Sequence, residues 1–164
     1  MARYQGWAPA DVDAAAAFIA KQSRIPFGSA GAWCQLAIRD RASGELFGDI
    51  GIHFPPTRDD AIELGLSLHP AHQHKGHARE AMGAVVERAF REWGYRRLVA
   101  SVDPRNAASI ALCRALGLRQ EAHHVESCRF RGEWVDDVIF ALLAREWPRG
   151  PTVGVDETGP RKHP

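Results

Sequence analysis

The sequence predicts an α+β domain with a mixed, mostly antiparallel sheet, one parallel strand–helix–strand crossover and flanking helices. Three patterns lead to this prediction. Apolar and polar residues alternate over residues 62–69, which is the period of a half-buried strand. The apolar period then changes to that of a single helical stripe over residues 77–93. A compact apolar run at residues 96–102 follows, and a strand–helix–strand step within an otherwise antiparallel order requires a crossover.

The elements before this crossover are predicted from composition and turn residues. Residues 11–22 are rich in alanine and carry two aspartates in the first turn, which favours a helix. Residues 33–40 and 45–54 have the character of two strands, joined by a hairpin turn at residues 41–44. Pro70 then ends the central strand that the alternation predicts.

A helix and a final hairpin are predicted after the crossover. Asn106 is a favourable N-cap residue and Gly117 is favourable just after a helix end, so a helix lies between them. Residues 118–130 and 133–147 are predicted to pair as two strands. Residues 148–164 are rich in proline, glycine and charge, which predicts a disordered tail.

Bulk composition fits one soluble domain over residues 1–147. A chain of 164 residues is long enough for one full core. The net charge of +1, with basic and acidic residues interspersed, predicts no nucleic-acid partner. Because no long apolar run or signal-peptide pattern occurs, no membrane association and a cytoplasmic location are expected. Three cysteines without a C-x-x-C pair are expected to be reduced thiols in the cytoplasm.

The loop between the central strand and the central helix is a candidate anion site. The first N–H groups of a helix have no backbone partners, and the helix dipole favours negative charge there. Gly76 has no Cβ, so a phosphate can approach the backbone, and Lys75 adds a positive charge. An ordinary strand–loop–helix connection is the alternative interpretation. The loop consists of Gln73, His74, Lys75, Gly76, His77 and Ala78.

Two motifs of the chain resemble those of the GNAT N-acetyltransferases. Gln73-x-x-Gly76-x-Ala78 is similar to the (Gln/Arg)-x-x-Gly-x-(Gly/Ala) acetyl-coenzyme A signature, which also opens the central helix of that family. Residues 106–118, N-A-A-S-I-A-L-C-R-A-L-G-L, resemble the family's Asn-x-x-Ser-x-x-Leu-Tyr-x-x-Leu-Gly-Phe helix. Over roughly residues 2–147 the chain is most similar to the branch of ribosomal-protein N-terminal acetyltransferases (RimJ/RimL-like).

This resemblance implies a co-substrate and an activity. In the family, the central strand and the next strand splay apart and hold the thioester arm of acetyl-coenzyme A, so Leu66 and Leu68 would line that arm. Residues 73–78 would bind the coenzyme phosphates. Asn106 and Ser109 would contact the coenzyme, although Asn106 is equally suited to cap its helix. The implied reaction is acetyl transfer to a primary amine by direct attack on the thioester, with no metal, and family members often form homodimers.

Acyl transfer to an amine needs a base and a donor for the leaving thiolate. Glu63 is the candidate base because it lies on the strand face opposite Leu64 and falls where this branch often carries a glutamate. A solvent-facing or arginine-paired glutamate is the alternative. Many family members have a tyrosine at the position of Cys113, so Cys113 and Ser109 are the candidate donors here. The alternative role of Cys113 is core packing, and that of Ser109 is helix capping. A backbone N–H such as that of Leu68 would stabilise the oxyanion.

The acceptor is predicted only as an amine, either a protein N-terminus or a small molecule. The loops that would shape its pocket carry no clear pattern, and the additional first strand of the family is not found at the start of the chain. Four carboxylates weakly favour a cationic acceptor: Asp49, Asp59, Asp60 and Glu63. For Asp59 and Asp60, however, a solvated turn is the favoured interpretation.

Two other classes of function remain open. The missing tyrosine is compatible with a non-catalytic acyl-coenzyme A-binding or sensor protein of the same fold. A metal-binding module is suggested by four histidines within nine residues. No Cys, Asp or Glu lies among them, which weakens the metal interpretation. The four residues are His69, His72, His74 and His77.

Overall fold

The computed structural model describes Tyr4, residues 10–57 and residues 61–148, and the elements follow the predicted order. The predicted tail, apart from Pro148, and the carboxylates Asp59 and Asp60 lie outside the described residues. The elements are α1 Val12–Gln22, β1 Trp33–Arg39, β2 Leu46–His53, β3 Ile62–Leu68, α2 His77–Arg91, β4 Arg97–Val102, α3 Ala107–Ala115, β5 Arg119–Phe130 and β6 Glu133–Leu143.

The six strands form one mixed sheet in the order β1-β2-β3-β4-β6-β5. Only β3 and β4 are parallel, and α2 is the crossover between them. The other neighbours are antiparallel. The predicted fold class is therefore confirmed. No helix in the described part of the chain is long and apolar enough to cross a membrane.

The core lies between the sheet and α2. Ile62 and Leu64 of β3 are 0% and 3% exposed, and the apolar stripe of α2 belongs to the same buried cluster. Each fully buried Val, Leu, Ile, Phe or Met contributes about 1.5–3 kcal/mol relative to an exposed one. This contact therefore holds the N-terminus of α2 next to the end of β3. The buried stripe consists of Met82, Val85, Val86, Ala89 and Phe90.

Two element ends differ from the sequence prediction by more than one residue. α2 ends at Arg91 rather than at residue 93, because the chain leaves the helix there: the Trp93 N–H donates to the Arg88 carbonyl at 2.9 Å, and Gly94 has a φ of +74°. β6 ends at Leu143 rather than at residue 147. There the Glu146 carboxylate accepts a hydrogen bond from the Leu143 N–H at 2.8 Å, and Ala144–Glu146 form a single 3-10 turn.

Candidate active site

β3 and β4 diverge after a short parallel contact. Their register covers only two pairs, Ile62↔Leu98 and Glu63↔Val99, although both strands are fully described and continue beyond them. Beyond these pairs, β3 stays paired with β2, and β4 stays paired with β6. A wedge therefore opens in the middle of the sheet, as the family resemblance implied.

Backbone groups of β3 line this wedge. The His69 N–H donates to the Phe47 carbonyl at 2.7 Å. Hydrogen-bonded and non-hydrogen-bonded pairs alternate along an antiparallel ladder. Because His69 and Phe47 form a hydrogen-bonded pair, every second residue back along β3 also bonds to β2. The N–H and C=O groups of Leu64, Leu66 and Leu68 lie between these and therefore point away from β2. The wedge thus has a row of backbone donors and acceptors along one side.

The loop after β3 leads to an uncapped helix N-terminus. The Gln73 side-chain amide donates to the Leu68 carbonyl at 3.1 Å, which ties the loop to the end of the strand. Gly76 is the N-cap residue of α2, with a φ of +86°, and no side chain caps the helix. His74 also has a positive φ, and Lys75 between them is exposed. The first N–H groups of α2 are therefore placed for an anion.

Two of the four histidines near this loop, His72 and His77, pack against one phenylalanine, Phe47. The His72 ring stacks on Phe47 with centroids 3.9 Å apart, and its Nε2 lies 3.2 Å from a Glu45 carboxylate oxygen. The His77 ring lies 4.9 Å from the same phenylalanine, and Ala78 follows it half-buried in the first turn of α2. No group of three or more His, Cys, Asp or Glu side chains among the described residues could hold a metal ion.

A groove of about 700 Å³ starts at the N-terminus of α2 and reaches α3. Gly76, Arg79 and Gly83 line one side, and Arg114 and Gly117 line the other. Neither arginine forms an ion pair with a residue that the structure describes. Two guanidinium groups beside an uncapped helix N-terminus suit a phosphorylated ligand. The groove is completed by Glu80, Ala115, Leu116, Glu146, Trp147 and Pro148.

Glu63 lies half-buried on the sheet face opposite α2. His53 of β2 is directly opposite Glu63 in the register. Burial raises the pKa of Glu63, His53 lowers it, and the Asp137 carboxylate raises it further. No described arginine forms an ion pair with Glu63, so the structure gives no support to the arginine-paired alternative. A half-buried carboxyl with a raised pKa is suited to accept a proton from an ammonium group.

The same face is open at Gly65, next to Glu63. Gly51 and Gly65 are opposite each other on β2 and β3. A Cβ on Gly65 would meet no atom within 4 Å, whereas a Cβ on Gly51 would meet the Gln35 and Trp33 side chains at 3.2 Å, so these two side chains cover Gly51. Beyond them Asp49 is opposite Ser67. Burial raises the pKa of Asp49, whereas a hydrogen bond from Ser67 lowers it. An open patch with a half-buried carboxyl at each end therefore adjoins the wedge.

The three site candidates near α3 have different surroundings. The Asn106 side-chain oxygen accepts the Ser109 N–H at 3.1 Å, so Asn106 caps the helix. The Ser109 hydroxyl makes no hydrogen bond to a described residue. Cys113 is 7% exposed and lines a small internal cavity with apolar neighbours that include Leu64 and Met82. Burial raises the pKa of Cys113 to about 11. These surroundings favour the packing interpretation of Cys113.

Several residues at this site were missed from the sequence. His53 and Asp137 reach Glu63 only through strand register, and neither lies in a recognisable motif. Side chains of the strand at residues 45–54 alternate between the two faces of the sheet. Once the pairing of that strand was known, this alternation would have assigned His53 to the face that carries Glu63. Arg79 was detectable, because it lies one helical turn after Gly76 and an arginine in a first helical turn is unusual.

The chain is similar in sequence to known acetyltransferases. Residues 1–119 match the model of the acetyltransferase (GNAT) domain. The uncharacterised N-acetyltransferase YnaD of Bacillus subtilis (strain 168) is 33% identical over 89 residues, which are 54% of this chain and 52% of that protein. The ribosomal protein uS5-alanine N-acetyltransferase of Escherichia coli (strain K12) is 31% identical over 90 residues, 55% of this chain and 46% of that protein. The chain spans about half the length of these curated relatives.

Solved structures share the fold. An acetyltransferase (GNAT family) from Bacillus anthracis superposes with a TM-score of 0.65 at 26% identity, over 68% of this chain and 67% of that chain. The spermidine N-acetyltransferase from Vibrio cholerae, in complex with CoA and spermine, superposes with a TM-score of 0.73 at 20% identity, over 88% of this chain and 83% of that chain. The likeness to the second protein extends to the fold alone.

Proposed function

Because the chain belongs to the GNAT acetyltransferase family, we propose that it transfers the acetyl group of acetyl-coenzyme A to a primary amine. The amine attacks the thioester directly. The observation that carries this proposal is the wedge between β3 and β4 beside the uncapped N-terminus of α2. A wedge with backbone donors suits an extended amide-containing arm, and a helix N-terminus suits a pyrophosphate.

The proposed coenzyme site uses each part of this geometry. The backbone groups of Leu66 and Leu68 pair with the pantetheine amides inside the wedge. The N–H groups that follow Gly76 bind the pyrophosphate. Arg79 and Arg114, across the groove from each other, interact with the phosphorylated nucleotide end through charge-assisted hydrogen bonds.

Proton transfer in the proposed reaction begins at Glu63. An acceptor amine arrives as an ammonium ion, and the Glu63 carboxylate accepts one of its protons, so that an N–H bond breaks and an O–H bond forms. The nitrogen lone pair then attacks the thioester carbon, so that an N–C bond forms. When the C–S bond breaks, the extra N–H proton that the amide does not keep passes to the departing thiolate. A backbone N–H of Leu66 or Leu68 stabilises the oxyanion.

Ser109 is proposed as the hydrogen-bond donor to the departing thiolate. Its hydroxyl is half-buried at the start of α3 and is not used by the N-cap. Cys113 is a poor proton donor because burial raises its pKa to about 11, well above the value of about 8.5 for an ordinary thiol. Proton transfer from Cys113 to the leaving thiolate would therefore be unfavourable.

The acceptor is proposed to be a cationic amine that approaches the face opposite α2. Half-buried carboxyl groups of Asp49, Glu63 and Asp137 all lie on that face. The open position at Gly65 leaves room for the acceptor next to Glu63, and the Trp33 and Gln35 side chains over Gly51 border this space. A peptide N-terminus and a small-molecule amine both meet these conditions. A cytoplasmic location and a homodimer remain predictions from the sequence.

The test is release of free coenzyme thiol from acetyl-coenzyme A in the presence of a panel of primary amines, with short peptides, polyamines and amino acids as members. We expect release with at least one amine. Glu63→Gln should lower kcat by about a hundredfold or more while leaving the Kd for acetyl-coenzyme A unchanged. Glu92→Gln, the same substitution at an exposed position after α2, is the control and should keep full activity.

The outcomes separate the candidate functions. Binding of acetyl-coenzyme A without turnover of any amine would indicate the alternative, a non-catalytic acyl-coenzyme A-binding or sensor protein. No binding would refute the coenzyme site itself. Full activity of Glu63→Gln would refute the assignment of the base but not the transferase activity.

A further inference from the structure

One row of side chains crosses the sheet at Glu63. The register places Trp33 of β1 opposite His53 of β2, and His53 opposite Glu63 of β3. Residues opposite each other on antiparallel strands point to the same face, with Cβ atoms about 4.5–5.5 Å apart. The Trp33 and His53 rings lie 5.2 Å apart at 36°, so the indole restricts the positions open to the imidazole. His53 is therefore held between an aromatic ring and the proposed base.

The other charged groups on this face are placed differently. Asp137 acts on Glu63 from β6, across β4, and its carboxylate accepts the Ser101 hydroxyl at 2.7 Å. Arg97 of β4 is ion-paired with Glu121 of β5. The imidazole on β2 is thus the basic group directly opposite Glu63 in the register. Groups on this face that can carry charge include Asp49 and His53 on β2, Arg97 on β4, Arg119, Glu121 and His124 on β5, and Glu133 and Asp137 on β6.

From this arrangement we propose that His53 is a positioning residue for the acetyl transfer. A positive charge on its ring favours the carboxylate form of Glu63, which is the form that accepts the proton of the acceptor ammonium group. His53 forms no bond to the acceptor or to the coenzyme. The inference rests on the proposed function of the site.

The two charged neighbours of Glu63 oppose each other. A positive charge next to a carboxyl favours its ionised form, and a negative charge disfavours it. Burial raises the pKa of Glu63, and His53 and Asp137 then act on it in opposite directions. Because transfer needs the ionised base, kcat/KM should fall as the pH falls through the pKa of Glu63. Removal of the His53 ring should move that fall to higher pH.

The titration of Glu63 can be measured without knowledge of the acceptor. The full chain is labelled with carbon-13 at the glutamate side-chain carboxyls, and the Glu63 signal is assigned by its loss in Glu63→Gln. We expect the Glu63 carboxyl to titrate at higher pH in His53→Gln than in the wild type. His53→Lys places a cation at the same position, so the titration of Glu63 should not move to higher pH in that variant. Asp137→Asn should titrate at lower pH.

The enzymatic counterpart is the pH profile of kcat/KM for the amine that releases coenzyme thiol fastest with the wild-type chain. His53→Gln should lose kcat/KM several-fold at the acid end of the profile and retain most of its plateau value. His53→Lys should have a higher kcat/KM than His53→Gln at the acid end. Equal loss at every pH in both variants, or an unmoved Glu63 titration, would overturn the role of His53. Absence of turnover with every amine would instead overturn the proposed function, and the role of His53 with it.

Discussion

Replacing Gly76 with alanine should weaken the binding of acetyl-coenzyme A without unfolding the protein. Gly76 has a φ of +86°, where an L residue costs about 1–2 kcal/mol. A Cβ there would meet no protein atom within 4 Å, so no steric cost is added. For a chain of this length, 1 kcal/mol corresponds to about 2–4 °C in Tm. The expected fall in Tm is therefore about 2–8 °C.

Gly94 is the matched control for this substitution. It has a φ of +74°, and a Cβ on Gly94 would likewise meet no atom within 4 Å. Gly94 lies just past the C-terminal end of α2, whereas Gly76 precedes its N-terminus. Gly94→Ala should therefore lose a similar amount of stability, by the same backbone strain, and should bind acetyl-coenzyme A as the wild type does.

The binding difference between the two variants has a predictable size. A methyl group on residue 76 would occupy the space through which a pyrophosphate oxygen approaches the first N–H groups of α2. Loss of one hydrogen bond to a charged group costs about 1.5–3 kcal/mol, which is about ten- to a hundredfold in Kd. Gly76→Glu adds a negative charge at the same place and should abolish binding in a folded protein.

Calorimetric titration of acetyl-coenzyme A into the wild type, Gly76→Ala and Gly94→Ala, well below the lowest Tm, measures this difference. The reasoning would be refuted by a wild-type Kd in Gly76→Ala. Equal weakening in both variants would also refute it, because backbone strain and not the position of the phosphate would then explain the loss.

Other substitutions test the remaining assignments. Ser109→Ala should lower kcat and leave Tm unchanged, because the N-cap uses the backbone N–H of Ser109. Cys113→Ala should keep kcat and lower the free energy of unfolding by about 1 kcal/mol. If thiol-release and denaturant assays instead show a lower kcat for Cys113→Ala and a loss of stability alone for Ser109→Ala, then Cys113 is the donor and Ser109 has the structural role. Asp49→Asn should raise Tm at pH 7 and not at pH 3. Burial raises the pKa of the Asp49 carboxyl, so stability is lost as the pH rises through that pKa, and an unchanged Tm at pH 7 would contradict this. Arg79→Gln and Arg114→Gln should each weaken acetyl-coenzyme A binding by about tenfold, less so at high salt, and an unchanged Kd at both salt concentrations would contradict the groove assignment.

The order of elements was predictable from the sequence because each element carries its own local signals. The stripe of α2 has a helical period, β3 alternates strictly, and Gly76 and Gly117 are at helix ends where a positive φ is needed. The end of β6 was not predictable. It depends on the Glu146 carboxylate, which accepts the Leu143 N–H, and such a contact leaves no periodic trace in the sequence.

The candidate site also has a part that was predictable from the sequence and a part that was not. The loop of residues 73–78 is contiguous, so a motif reveals it. The surroundings of Glu63 are assembled from three strands, and His53 and Asp137 become its neighbours only through the register of the sheet. Likewise, the burial of Cys113 depends on how α3 packs on the core. The sequence alone favoured packing for that residue but left proton donation open.

Thermal unfolding of the full chain with and without acetyl-coenzyme A, with zinc as the comparison ligand, tests the coenzyme site most directly. At about a hundredfold excess over its Kd a ligand adds about 2.7 kcal/mol of stability, which is about 5–10 °C in Tm for a chain of this length. We predict a rise of this size with acetyl-coenzyme A, and no such rise in Gly76→Glu. A rise with zinc and none with acetyl-coenzyme A would contradict the acetyltransferase assignment and favour a metal-binding role for the histidines around Phe47.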